Sequence, residues 1–129
     1  MTIKRQYVMK KKQLVWIGSS YDDLVSFPPD VVHAIGYALF RAELGETHEH
    51  AKVFSGMGNA KIWEIRENDR SGTYRVVYTI EMQNFVFILH AFQKKSKSGI
   101  STPKQELELL NKRLSEARDL YKQLKGKTL

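Results

Sequence analysis

Three consecutive β-forming runs between Lys61 and Gln93 constrain this chain more than anything else in it, because apolar and polar residues alternate there with period two. In the first run Trp63 and Ile65 share one face, with Ile62, Glu64 and Arg66 on the other. Asn68 to Gly72 (NDRSG) is turn chemistry and closes a hairpin. The second run sets Tyr74, Val76, Tyr78 and Ile80 against Arg75, Val77 and Thr79. After Gln83 and Asn84, Val86, Ile88, His90 and Phe92 alternate with Phe87, Leu89 and Ala91. That last run is nearly apolar on both faces, so it is expected at the centre of an antiparallel sheet.

Such a sheet needs cover, and the flanks supply it. Thr102 as N-cap, Pro103 at N1 and Gln105 at N3 form a capping box for a C-terminal helix. Its seam, Leu107, Leu110, Leu114, Ala117, Tyr121 and Leu124, suits packing on the chain's own sheet better than a coiled coil. Upstream, Val31, Ile35, Ala38, Leu39 and Ala42 recur at helical spacing after Pro28 and Pro29, and Gly45 fits the C′ position. Tyr21 to Ser26 is expected to form one or two helical turns, and Gln13 to Ile17 a first strand. Gly45 to Asn59 reads as a loop. The expectation is α+β: a small antiparallel sheet of about four strands with N-terminal helices and a C-terminal helix. In 129 residues this makes one domain over 13–125, preceded by a basic, flexible arm over 1–12.

Charge and composition narrow the function classes. The formal charge is +7, with +5 in residues 1–12, −4 in 13–60, and +3 in each of 61–97 and 103–129. The basic rear half points to an anionic partner. With no cysteine in the sequence, disulfides, thiolate catalysis and thiolate metal sites are excluded. No apolar run approaches the roughly 20 residues of a membrane span. Met1 to Lys12 lacks the apolar stretch of a secretory signal, so a cytoplasmic location is expected.

The strongest chemical constellation lies on the meander. Arg66, Arg75, His90 and Lys94 come from three strands, with Arg70 and Lys95 nearby. Two guanidiniums on one face can grip a phosphate bidentately, and an imidazole can move a proton to or from a ribose hydroxyl. Phe92 and Trp63 offer rings for base stacking. The structural alternative pairs Arg66 and Arg75 with Glu64 and Glu81 and makes His90 a hydrogen-bonded core residue. No acidic pair stands at a spacing for a metal-ion route to RNA cleavage, so a nuclease built here would be metal-independent. His48 and His50 form an H-x-H pair, but without a third and fourth ligand in view a plain loop is expected and no metal is assigned. No cofactor motif is present: G-x-G-x-x-G, P-loop, G-x-S-x-G and H-E-x-x-H are all missing.

As a set and in this order, W-E-I-R (Trp63 to Arg66), Y-R-V-V-Y (Tyr74 to Tyr78), L-H-A-F-Q-K-K (Leu89 to Lys95) and T-P (Thr102, Pro103) carry a family signal. With FPPDVVHAIGYAL (Phe27 to Leu39) upstream, the stretch from Leu14 to Arg118 resembles the phage-related, HigB-like branch of the RelE-type toxins. The resemblance implies a compact sheet with helices on one side. It implies a ribosome-dependent endoribonuclease, an mRNA interferase, silenced by a helix-turn-helix antitoxin of the HigA kind, with a dimer possible in the complex. Carried over, Arg66 and Arg75 bind phosphate or stabilise the transition state, His90, Lys94 and Lys95 become basic residues of the RNA groove, and Phe92 stacks or packs. From the residues themselves, His90 is the candidate for proton transfer and Arg70 a further RNA-binding candidate. One departure stands out: RelE-type enzymes often place a catalytic tyrosine after the last strand, whereas Tyr121 lies on the helix seam. The competing expectation is a non-catalytic RNA- or protein-binding module, a degenerate phage or mobile-element relic.

Overall fold

The computed structural model describes residues 11–94 and 104–125. The elements follow in the order β1 (Gln13–Trp16), α1 (Ser20–Val25), α2 (Pro29–Glu43), β2 (Ala51–Val53), β3 (Ile62–Asp69), β4 (Gly72–Thr79), β5 (Phe85–Lys94) and α3 (Lys104–Lys125). Thr102 and Pro103 of the expected capping box, Lys95 of the expected RNA groove, and residues 1–10 of the expected arm lie outside the described residues. No helix among the described residues is long and apolar enough to cross a membrane.

Among the described residues the sheet is five-stranded, in the order β1-β5-β4-β3-β2. The meander pairs antiparallel as its alternation predicts, while β1 joins β5 in parallel, Gln13 facing Phe85 and Trp16 facing Ile88. The fold is α+β as expected, with one strand more than about four. The extra strand, β2, lies in the segment read as loop and pairs Ala51 with Ile65 and Val53 with Trp63. With only three residues and half of its neighbours polar, it carries too little period-two signal to be seen.

Local chemistry sets the element ends. Pro28 and Pro29 open α2, where a missing backbone N–H costs nothing. At its far end Gly45 adopts φ +81°, its amide donating to the Ala42 carbonyl and the Glu46 amide to Arg41. That is a Schellman closure, and the left-handed backbone explains the glycine. In the β3–β4 turn the Asp69 carboxylate accepts from both the amide and the hydroxyl of Ser71 at 2.7 Å. These bonds hold the Asp69 carboxyl below the usual carboxylate range.

Helices cover both faces of the sheet, which corrects the expectation of helices on one side. Val31, Ile35, Ala38, Leu39 and Ala42 of α2 pack on Ile65, Val76, Tyr78, Val86 and Ile88. Leu110, Leu114 and Ala117 of α3 pack on Ile62, Val77, Phe87 and Leu89. The central strands had already required this, because a strand apolar on both faces must be buried on both. The seam positions of α3 meet the sheet as expected, with each fully buried leucine contributing about 1.5–3 kcal/mol.

A register break in β5 governs everything that follows. Val77 pairs with His90, but the next β4 residue, Tyr78, pairs with Ile88, leaving Leu89 as the extra residue of a bulge. The side-chain phase therefore reverses at Leu89. Val86 and Ile88 face α2, whereas His90 and Phe92, expected on that same face, point to the α3 side. A single inserted residue leaves no mark in a run apolar on both faces, so alternation alone could not reveal it.

Candidate functional site

The bulge assembles a polar site on the α3 side of the sheet. Cross-strand pairing puts Arg66 directly opposite Arg75, and Arg75 opposite Phe92, so the three form one row across β3, β4 and β5. The rows on either side contribute Glu64, Val77 and His90, and Thr73 and Lys94. Without the phase reversal, His90, Phe92 and Lys94 would face α2, and the arginines would stand alone.

Like charges directly opposite one another repel across a sheet. Glu64 offsets this for both arginines. Its Oε2 lies 3.0 Å from Arg75 Nη1, and its Oε1 accepts from Arg66 Nη2 at 3.2 Å. The Glu64 and Arg75 side chains are each 8% exposed, while that of Arg66 is 49% exposed. Arg75 is thus a fixed, buried guanidinium and Arg66 a movable one. Among the described residues neither Arg75 Nε nor Glu64 Oε2 completes a hydrogen bond, the contact at Oε2 being a charge pairing alone.

One carboxylate does not balance three cations. Lys94 shows the surplus: its ammonium is held below the usual lysine range, first by desolvation and then by repulsion from Arg75 and Arg66, against the opposing pull of Glu64. A bound anion would relieve that repulsion.

His90 is nearly buried, with Nε2 at 2.9 Å from the Glu106 carboxylate and Nδ1 at 3.4 Å from Arg113 Nη1. Phe92 stacks on its ring with centroids 4.5 Å apart. Arg113 also donates to the Leu89 carbonyl at 2.9 Å and to Ser19 Oγ at 3.2 Å, tying α3 to the bulge and to the start of α1. Glu106 and Arg113 are site residues that sequence reasoning missed. Both sit on the polar flank of α3, and only the packing of that helix brings them to His90. The structural alternative is half realised: Glu64 takes both arginines, while Glu81 pairs with Arg118 instead, at 2.6 and 3.0 Å.

The other expected residues spread outward. Arg70 lies in the β3–β4 turn, exposed and beyond the Arg66–Arg75 row. Trp63 belongs to the opposite face, packed on the α2 core, and cannot join Phe92 in stacking a base. A groove of about 400 Å³ lies elsewhere, between α3 and residues 57–61, where Asn59, Lys61, Glu81, Asn111 and Arg118 line it.

A family model described as "Phage derived protein Gp49-like (DUF891)" matches residues 22–115. The chain belongs to this phage-derived Gp49-like family. The matched segment runs from α1 into the first half of α3 and so holds every residue of the arginine site, Glu106 and Arg113 included. Among solved structures, the Gp49-like chain is similar to one in the RelBE2 toxin–antitoxin complex from Mycobacterium tuberculosis. The match has 22% identity and a TM-score of 0.48, covering 69% of this chain and 98% of that one. No curated protein matches the sequence.

Proposed function

We propose that this Gp49-like protein is the toxin of a type II toxin–antitoxin pair, a metal-independent endoribonuclease that cuts mRNA on the ribosome. The observation that carries the reading is the row of Arg66 and Arg75 with Lys94 beside it, three cations around one carboxylate. The order of sequence motifs shared with RelE/HigB-type toxins supports it. A scissile phosphate held by the movable Arg66, in the field of the buried Arg75 behind it, would receive charge-assisted hydrogen bonds that strengthen as negative charge builds up on its oxygens. The ribose 2′-oxygen attacks phosphorus and its proton passes to a base. The bond to the 5′-oxygen breaks and that oxygen takes up a proton, leaving a cyclic phosphate and a 5′-hydroxyl. His90, oriented by Glu106, is the base in this scheme. Phe92 backs the imidazole, and Arg70, Lys94 and Lys95 hold neighbouring phosphates. The partners are mRNA, the ribosome and a helix-turn-helix antitoxin of the HigA kind, in the cytoplasm.

One observation favours the second reading, a non-catalytic RNA- or protein-binding module. Both ring nitrogens of His90 are already engaged, by Glu106 and Arg113. The two readings separate in a short induced pulse in a bacterial host, mapping RNA 5′ ends for the wild type, Arg75→Ala and Arg66→Ala. Arg66→Ala is included because Arg75 supports the fold through Glu64, whereas Arg66 is half exposed. New ends within coding regions that vanish in both variants are the expected result. Soluble wild-type protein with no new ends and normal growth would leave the binding module.

A further inference from the structure

The H-x-H pair acquires a third partner in the fold. His48, His50 and Glu67 each offer a ligand atom, and these atoms all lie within 4.8 Å of one another. The sequence could not show this, because Glu67 comes from β3 and meets His50 only through the pairing that β2 begins. The geometry points to a binding site for a zinc-class divalent cation, formed by His48, His50 and Glu67.

Three features argue for it. First, the donor set is two imidazoles and a carboxylate, the nitrogen and oxygen mixture that borderline metals prefer. Second, the backbone presents the ligands from fixed points. The Ala51 amide donates to the His48 carbonyl at 2.9 Å in a turn, and the Arg66 amide donates to the His50 carbonyl at 3.2 Å. Glu67 projects from mid-sheet opposite Tyr74 and is 9% exposed, so one ligand is anchored while the two histidines can adjust. Third, the donors already face one another. His50 Nδ1 lies 2.6 Å from Glu67 Oε2, His48 Nδ1 accepts from the His50 amide at 3.0 Å, and the two rings meet edge to face at 4.9 Å.

The hydrogen held between His50 and Glu67 occupies the place a cation would take. Tetrahedral bonds of about 2.0–2.1 Å set donors roughly 3.3–3.5 Å apart. Rotating the two histidine side chains would open the 2.6 Å His50–Glu67 pair and draw in the wider ones, all of which lie within 4.8 Å, with solvent supplying the fourth position. Glu67 points to the α2 side, away from Arg66 and Arg75, so a cation here takes no part in chemistry at the arginine row. The inference stands independently of the toxin reading.

The test is a zinc titration of the full chain against a chromophoric chelator, with circular dichroism to verify that each variant is folded. One zinc per chain at micromolar affinity or better is expected. His48→Gln and His50→Gln should each weaken it by well over tenfold, and Glu67→Gln on the order of tenfold. His33→Gln, on the exposed face of α2, should leave it unchanged. Absence of zinc binding at about 100 μM, or equal binding by folded wild type and His50→Gln, overturns the proposal.

Discussion

Replacing Glu64 with glutamine should move stability and RNA binding in opposite directions. The Glu64 and Arg75 side chains are each 8% exposed, so the substitution leaves a buried guanidinium without its counter-charge. Removing one partner of a buried ion pair costs about 3–5 kcal/mol. Glutamine keeps the shape and one carbonyl acceptor, which places the expected loss near the low end, at about 3 kcal/mol. For a chain of this size that lowers Tm by roughly 9–15 °C. Arg66→Gln is the internal control, because that half-exposed partner should cost less than about 1 kcal/mol. Glu64→Gln also removes the carboxylate that Arg66, Arg75 and Lys94 share among the described residues. A single-stranded RNA oligonucleotide should bind it more tightly, and the slope of log affinity against log salt should steepen by about 0.7. Urea denaturation gives the first quantity, and fluorescence anisotropy at four or five salt concentrations the second. A stability loss under about 0.5 kcal/mol would refute the buried-pair reasoning. An unchanged RNA affinity in the destabilised variant would refute the anion-site reasoning while leaving the ion pair standing.

Two further outcomes follow from the core. Burial pushes the Tyr78 phenol up to about 12, so the fold favours its neutral form. That contribution, about 2–3 kcal/mol, is complete below pH 10 and is lost as pH climbs toward 12; Tyr78→Phe should flatten that part of the stability–pH curve. Leu110 is fully buried between α3 and the sheet, and Leu110→Ala should cost about 2–5 kcal/mol in urea denaturation without changing far-UV circular dichroism in water.

What the sequence revealed follows the strength of local periodicity. The α3 seam, the Gly45 cap, both hairpin turns and the facing of Arg66 and Arg75 were legible, because each rests on residues close in sequence. The Leu89 bulge was not legible, and it decides where His90, Phe92 and Lys94 point. Glu106 and Arg113 were hidden for a different reason: they are polar positions on a helix flank, and only the docking angle of α3 carries them to His90. The meeting of Glu67 with His50 was not legible, because a three-residue strand is too short to announce the pairing that sets them side by side.

The parallel pairing of β1 with β5 has a consequence for biosynthesis. The first strand meets its partner across about seventy residues of chain, and among the described residues its one sheet neighbour is β5. At roughly 5–20 residues per second, β1 emerges from the ribosome about 4–14 s before the partner strand is complete. Throughout that interval the apolar side chains of Leu14, Val15 and Trp16 have no partner strand to join, and α2 has only the β3 and β4 part of its surface to cover. The arginine row cannot form either, since Phe92 and Lys94 arrive with the last strand. The complete sheet and the arginine row therefore form together, only once β5 has emerged, and a nascent chain cut short before β5 should be a target for proteolysis.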